Sequence, residues 1–239
     1  MDMKQFQDTA FTLFGVHLSD KQLGQFSLYE RHLQTWNQDI NLTAISDTDG
    51  IRQKHFLDSI SVMTVLRKLA IHSVIDIGTG AGFPGMVMKI LLPDIRLTLV
   101  ESIGKKVQFC EFVAQELGMS KVTVTKARAE ELGQTLEHRE KYDVAIARAV
   151  AELSILSEYL LPFVTRGGIM VAQKGEKGPA ETHTAQNAIQ LLGGKVRFVH
   201  QVTLPGVVEE RYLIEIEKIA STPEQYPRRV GIPSKRPLR

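Results

Sequence analysis

Several features that would settle a protein's class early are scarce in this sequence. Only one of its 239 residues is cysteine, Cys110, so no internal disulfide can form. Its place in KKVQFCEFVAQELG reads as the apolar face of a helix, a core position. No apolar run approaches the roughly 18 residues of a membrane helix. The opening MDMKQFQDTAF lacks the basic, apolar and small-residue succession of a signal peptide, so a cytoplasmic protein without membrane contact is expected. Neither charge dominates. The net charge of +2, from 29 basic and 27 acidic residues, is too small to announce nucleic acid by itself. What is present, 43% hydrophobic and 23% charged residues, is ordinary for a globular chain and excludes disordered and collagen-like classes. The positive excess is local: residues 221–239 hold five basic side chains against one acidic.

Hydrophobic spacing divides the chain into three parts. Residues 1–70 form a helical extension. Phe6, Ala10, Leu13 and Phe14 keep helical spacing, Ser19 to Gln22 form a capping box, and Phe26, Tyr29, Leu33, Trp36 and Ile40 make the stripe of a helix that buries one face. Residues 71–220 alternate short β-branched runs (SVIDI, RLTLVE, KVTVTKA, YDVAIA, GGIMVAQ) with helical stretches at Pro84–Leu92, Lys105–Leu117 and Glu152–Leu161. That alternation predicts an α/β, doubly wound, mostly parallel sheet with ligands at the carboxyl ends of its strands. A further helix is expected over Thr182–Leu192. KVRFVHQV and RYLIEIEK then follow with too short a connection for a crossover, so the last strand should be antiparallel. Residues 221–239 are a basic, proline-rich tail, expected to be extended.

The strand SVIDI runs into Gly78, Thr79, Gly80, Ala81, Gly82, Phe83, Pro84 and Gly85 and then into a helix, the context in which a glycine loop approaches a ligand. Gly80, Gly82 and Gly85 spell the dinucleotide fingerprint, and Glu101, 21 residues after Gly80, stands where an acid would hold ribose hydroxyls. An NAD-dependent oxidoreductase is therefore one reading. Asp76, two residues before the first glycine, and Pro84, where the helix should donate its first amides, favour a ligand bearing an amino group and a sulfonium over a pyrophosphate. S-adenosylmethionine has both. A module that binds cofactor or RNA without chemistry is the third reading.

DIGTGAG resembles the first motif of class I, Rossmann-like S-adenosylmethionine methyltransferases, with Glu101 as the acid after the second strand. Further motifs narrow the resemblance: WNQDINLTAI at Trp36–Ile45, HFLDSI at His55–Ile60, VESIGKK, RAEEL at Arg128–Leu132, ARAVAEL at Ala147–Leu153, QKG at Gln173–Gly175 and YPRRVGIPSKRPL at Tyr226–Leu238. In that order, over essentially the whole chain, they resemble the ribosomal small subunit methyltransferase G family (RsmG/GidB). The resemblance implies S-adenosylmethionine-dependent methylation of guanine N7 in the 530 loop of 16S ribosomal RNA; the 30S subunit or a late assembly intermediate is the expected substrate, and a monomer without a stable protein partner is expected. The resemblance also implies that Gly78, Phe83, Ala129, Glu130 and Arg148 contact the cofactor, beside the loop residues Asp76, Gly80, Gly82 and Glu101. Without it, RAEE would be an exposed helix start, Arg148 a strand-end cation and His55 a hydrogen-bonded packing residue.

Guanine N7 carries an exposed lone pair, so its methylation needs no base, and neither a catalytic residue nor a metal is expected; alignment of the reactants is what matters. RNA contacts are expected from Arg148 and Lys174 at the ends of the fourth and fifth strands, and from Arg228, Arg229, Lys235 and Arg236 in the tail. The alternative for the tail is a clasp that packs YPRR back on the domain.

Overall fold

The computed structural model describes residues 1–148 and 150–239; Ala149, in ARAVAEL, lies outside the described residues. Seven strands form one sheet: β1 (Ser73–Ile77), β2 (Arg96–Glu101), β3 (Val122–Lys126), β4 (Tyr142–Arg148), β5 (Val164–Lys174), β6 (Gly194–Val202) and β7 (Arg211–Lys218). Their order is β3-β2-β1-β4-β5-β7-β6. The first five pair in parallel, and β7 runs antiparallel to both β5 and β6. The expected sheet and its antiparallel last strand are thus present. The chain steps outward from β1 to β3 and returns to β4, which leaves a crevice at the carboxyl ends of β1 and β4, where such sheets bind ligands.

Both faces of the sheet are covered, which is why its strands read as near-continuous apolar runs. Val74, Leu97, Leu99, Val144, Ile146 and Val171 point to one face, and Ile75, Val100, Ala145, Ala147, Met170 and Ala172 to the other, with the period of two that a strand imposes. The first face packs on the N-terminal helices α1 (Met3–Phe14) and α2 (Asp20–Ile40), each opened by a capping box. Phe6, Phe26 and Phe56 form an aromatic cluster there, with Phe6 and Phe26 meeting edge to face at 5.1 Å. Cys110 is fully buried in the same core. The second face carries the helices Leu153–Leu160, Gly178–Thr184 and Gln186–Leu191.

Two local expectations are corrected. The helix expected over Thr182–Leu192 is two helices that meet at Ala185, the first starting earlier with a proline in its first turn, where a missing N–H costs nothing. The tail contains a short helix at Ile232–Lys235, because Pro233 again occupies a first-turn position. It is also tied down. Arg139 donates to the carbonyls of Thr222, Pro223 and Tyr226, and Gln134 to that of Pro227. Arg228 gives its backbone N–H to Glu158 Oε1 at 2.8 Å and its Nη2 to Oε2 at 2.6 Å. Glu158 is fully buried, so Arg228 is its counter-ion and the tail is a clasp at this residue.

Breaking a buried ion pair from one side leaves an uncompensated charge and costs about 3–5 kcal/mol. Arg228→Ala should therefore lower the melting temperature clearly in thermal denaturation, whereas Arg229→Ala, on an exposed side chain, should stay within about 0.5 kcal/mol of wild type. Equal effects would contradict the clasp.

Candidate functional site

The glycine loop is built on Asp76, the fourth residue of β1. Its side chain is fully buried, and its Oδ2 accepts from Thr79 Oγ1 at 2.7 Å and from Gly85 N at 2.8 Å. Burial raises the Asp76 carboxyl to about 6, against the bonds from Thr79 and Gly85 that favour its ionised form. Its Oδ1 is buried without a partner. Most other loop amides are also committed inside the protein. Gly78 and Thr79 donate to the Val100 carbonyl, Gly82 and Phe83 to that of Thr79, Met86 to that of Gly82, and Gly80 to Glu101 Oε2 at 3.0 Å. Pro84 has no N–H to give. A pyrophosphate would find almost no donors here, which removes the main support for a dinucleotide.

The glycines divide by role. Gly78, at φ +67°, lines a cavity of about 400 Å³ at the carboxyl ends of β1 to β4, together with Glu101, Ser102, Ala129, Glu130 and Arg148. Gly82 lies elsewhere: a Cβ there would meet Tyr29 Oη at 2.5 Å and Met86 Cγ at 2.6 Å. Gly82 is therefore a glycine because α2 packs against the loop, where Tyr29 donates to the Ala81 carbonyl at 2.5 Å. Gly82, expected at the cofactor, does not line this cavity. Asp76 and Phe83 are buried and outside this lining, whereas Gly80 is half-buried, with open space where a Cβ would stand.

Glu101 closes β2 inside the cavity. Its Oε1 accepts from the amides of Ser102 and Ile103 at 2.7 and 2.9 Å, and its Oε2 from Gly80, so the carboxylate is fixed before any ligand arrives. Ala129 and Glu130 are buried, unlike the exposed helix start that RAEE suggests by itself. Glu130 Oε1 accepts from Gly231 N at 3.0 Å, a bond from the tail to the cavity wall.

A second cavity of about 410 Å³ lies beside the first, lined among others by Lys54, His55, Asp58, Gln173 and Tyr212. Among the described residues Arg148 is the one that lines both. Its Nη1 donates to Asp58 Oδ2 at 3.0 Å and to the Lys54 carbonyl at 3.1 Å, and its Nη2 faces His55 Nδ1 at 3.2 Å. The guanidinium lies 5.0 Å over the Phe83 ring, a cation–π contact, and His55 stacks on Phe83 at 4.7 Å. Burial, then the charge of Arg148, lowers His55 to about 3, so its ring is neutral. Lys54, His55 and the preceding residues form a π-helix, Ile51–Leu57, a wide turn found often at functional sites.

The RNA candidates separate in the same way. Lys174 is engaged by Glu181 at 2.7 Å and by the Ala151 carbonyl, Arg228 by Glu158, and Arg148 by the network above. Each of these three has a partner inside the protein, and Arg148 and Lys174 also line the second cavity. Arg229, Lys235 and Arg236 are exposed. Asp58 was not singled out by the sequence, although HFLDSI contains it, and Tyr29 passed there as one more packing residue.

A family model described as rRNA small subunit methyltransferase G matches residues 22–212. Similar proteins of that name include one from Alkaliphilus metalliredigens, 44% identical with all of both chains covered, and one from Roseiflexus sp., 48% identical over 94% of this chain and 95% of that one. Among solved structures, the geranyl diphosphate C-methyltransferase of Streptomyces coelicolor A3(2), in complex with S-adenosyl-L-homocysteine, superposes with a TM-score of 0.53 at 14% identity, covering 80% of this chain and 98% of that chain, a likeness of fold.

The buried Asp76 carries a pH signature. Its folded-state value of about 6 exceeds the ordinary 3.8, so the folded state holds the extra proton between them and stability falls as pH rises from about 4 to about 6. Relative to Asp76→Asn, the wild-type melting temperature should decline over that window. A difference independent of pH would contradict the raised value.

Proposed function

The chain belongs to the rRNA small subunit methyltransferase G family, and from that premise we propose that it transfers the methyl group of S-adenosylmethionine to N7 of a guanine in the 530 loop of 16S ribosomal RNA. The observation that carries this reading is the pair of adjoining cavities with Arg148 in the wall between them. The cavity at the β1–β4 crevice suits the cofactor. It offers a fixed carboxylate for ribose hydroxyls, a glycine in its lining, and one edge of the Arg148 guanidinium. The neighbouring cavity suits the acceptor base.

When bound, S-adenosylmethionine supplies a methyl group on an electron-poor sulfur. The protein's own part is then positional. Glu101 holds one end of the cofactor cavity, and Arg148 fixes the boundary across which the acceptor nitrogen must face it. Holding two reactants in line can lower a barrier by roughly 7–11 kcal/mol, and the N7 lone pair asks for no proton transfer. The neutral, fully bonded His55 fits that requirement, since it has no free nitrogen with which to act as a base. Among the described residues no cluster of metal-ligating side chains occurs.

The reading extends to RNA held locally, in the 30S subunit or a late assembly intermediate, by a cytoplasmic monomer. The exposed Arg229, Lys235 and Arg236 are candidates to touch phosphate. No helix among the described residues is long and apolar enough to cross a membrane.

The test is methyl transfer to 30S subunits that lack the modification, with the product located by borohydride and aniline cleavage, which cuts at N7-methylguanine. Cleavage in the 530 loop is expected; transfer to another position, or none, would overturn the reading. Glu101→Gln keeps one of the two acceptor oxygens, sets an NH2 in place of the other, and removes the charge. It should weaken S-adenosylmethionine binding in calorimetry by about tenfold, as expected when charge-assisted bonds of about 1.5–3 kcal/mol become neutral ones. Unchanged affinity would take Glu101 out of the site.

A further inference from the structure

Arg148 is held by a brace that reaches back into the helical extension. His55 Nε2 lies 2.8 Å from Thr43 Oγ1, and Thr43 Oγ1 also accepts from Ile45 N at 3.1 Å. The Thr43 backbone is in turn clamped by Asn37, which accepts from Thr43 N at 2.8 Å and donates to its carbonyl at 2.9 Å. These bonds define the imidazole. A guanidinium can only donate, so His55 Nδ1, facing Arg148 Nη2, must be the acceptor nitrogen. In a neutral ring the proton is then on Nε2, directed at the Thr43 hydroxyl. Phe83 stacks on one face of the imidazole and lies beneath the guanidinium, which restricts rotation of both groups.

We infer that Thr43 and His55 are positioning residues for methyl transfer: Thr43 fixes the orientation and tautomer of His55, and His55 with Asp58 fixes Arg148 in the wall between the two cavities. The inference rests on the assignment of those cavities to cofactor and acceptor base. It also gives the helical extension a part in the reaction. The segment from Asn37 to Asp58 supplies every side chain of the brace except Phe83 and Arg148, and Arg148 donates a further bond to the Lys54 carbonyl. Neither Thr43 nor His55 touches the reacting atoms in this scheme. Both act through the guanidinium.

Three measurements test the inference. In a long-range ¹⁵N–¹H spectrum of the wild-type protein at neutral pH, His55 should be neutral with its proton on Nε2; an imidazolium, or a proton on Nδ1, would overturn it. His55→Phe keeps a ring to stack on Phe83 but removes both nitrogens. It should lower kcat on 30S subunits by at least about tenfold, or 1.4 kcal/mol, with the calorimetric Kd of S-adenosylhomocysteine moving less than about threefold. Thr43→Val should reduce kcat in the same direction, while Thr43→Ser, which restores the hydroxyl, should recover most of it. A fall in melting temperature with unchanged kcat per folded molecule would reduce the brace to a structural element and overturn the proposal, as would equal losses in Thr43→Val and Thr43→Ser. If the wild type transfers no methyl group at all, the functional reading fails by itself, and the spectrum and the calorimetry still decide the brace.

Discussion

The active end of this protein depends on one half-buried cation. Moving an arginine out of water costs several kcal/mol unless its donors are matched, and Arg148 is matched by the Asp58 carboxylate, the Lys54 carbonyl, the His55 ring nitrogen and the face of Phe83. Those four partners come from the π-helix and its end and from the glycine loop, while Arg148 itself ends β4. One ion pair therefore fastens three separately encoded segments at the point where two cavities meet. Arg211, 4.0 Å from the other oxygen of Asp58, brings β7 to the same carboxylate.

The glycine loop follows the same economy of donors. A loop that binds phosphate must leave amides open, and this loop directs nearly all of its own inward, to Val100, Thr79, Glu101 and Asp76. What it presents to the crevice is shape, at Gly78, and a fixed acid, at Glu101. At Gly82 and Gly85 the dinucleotide spelling comes from packing, while Gly80 has open space at its Cβ position and a φ of +60°. Gly82 makes room for Tyr29, and Gly85 sits where a Cβ would meet Leu99 Cδ2 at 2.5 Å.

Much of the fold was legible because periodicity is a local signal. The strands SVIDI, RLTLVE and YDVAIA stand where their β-branched runs place them, and Ser19 caps α2 as its spacing to Gln22 requires. The break at Ala185 was not legible, since Thr182–Leu192 keeps helical periodicity across it. In the site, Glu101 and Gly78 were readable from their distance to a strand end. The partners of Arg228, Lys174 and Arg148 were not. Each lies on another element, Arg228 with Glu158 70 positions away and Arg148 with Asp58 90 positions away, and a charge read along the chain gives no sign of such a counter-ion. Within the basic tail, Arg228 is the residue whose counter-ion lies in the body of the protein.

The two cavities differ in function by which takes the cofactor and which takes the base. The most direct measurement is the position of S-adenosylhomocysteine in a crystal of this protein. Its ribose should lie against Glu101, with its adenine beside Ala129 and its sulfur directed toward Arg148, and the cavity lined by His55, Gln173 and Tyr212 should remain clear. Density for the ligand in that second cavity would contradict the account.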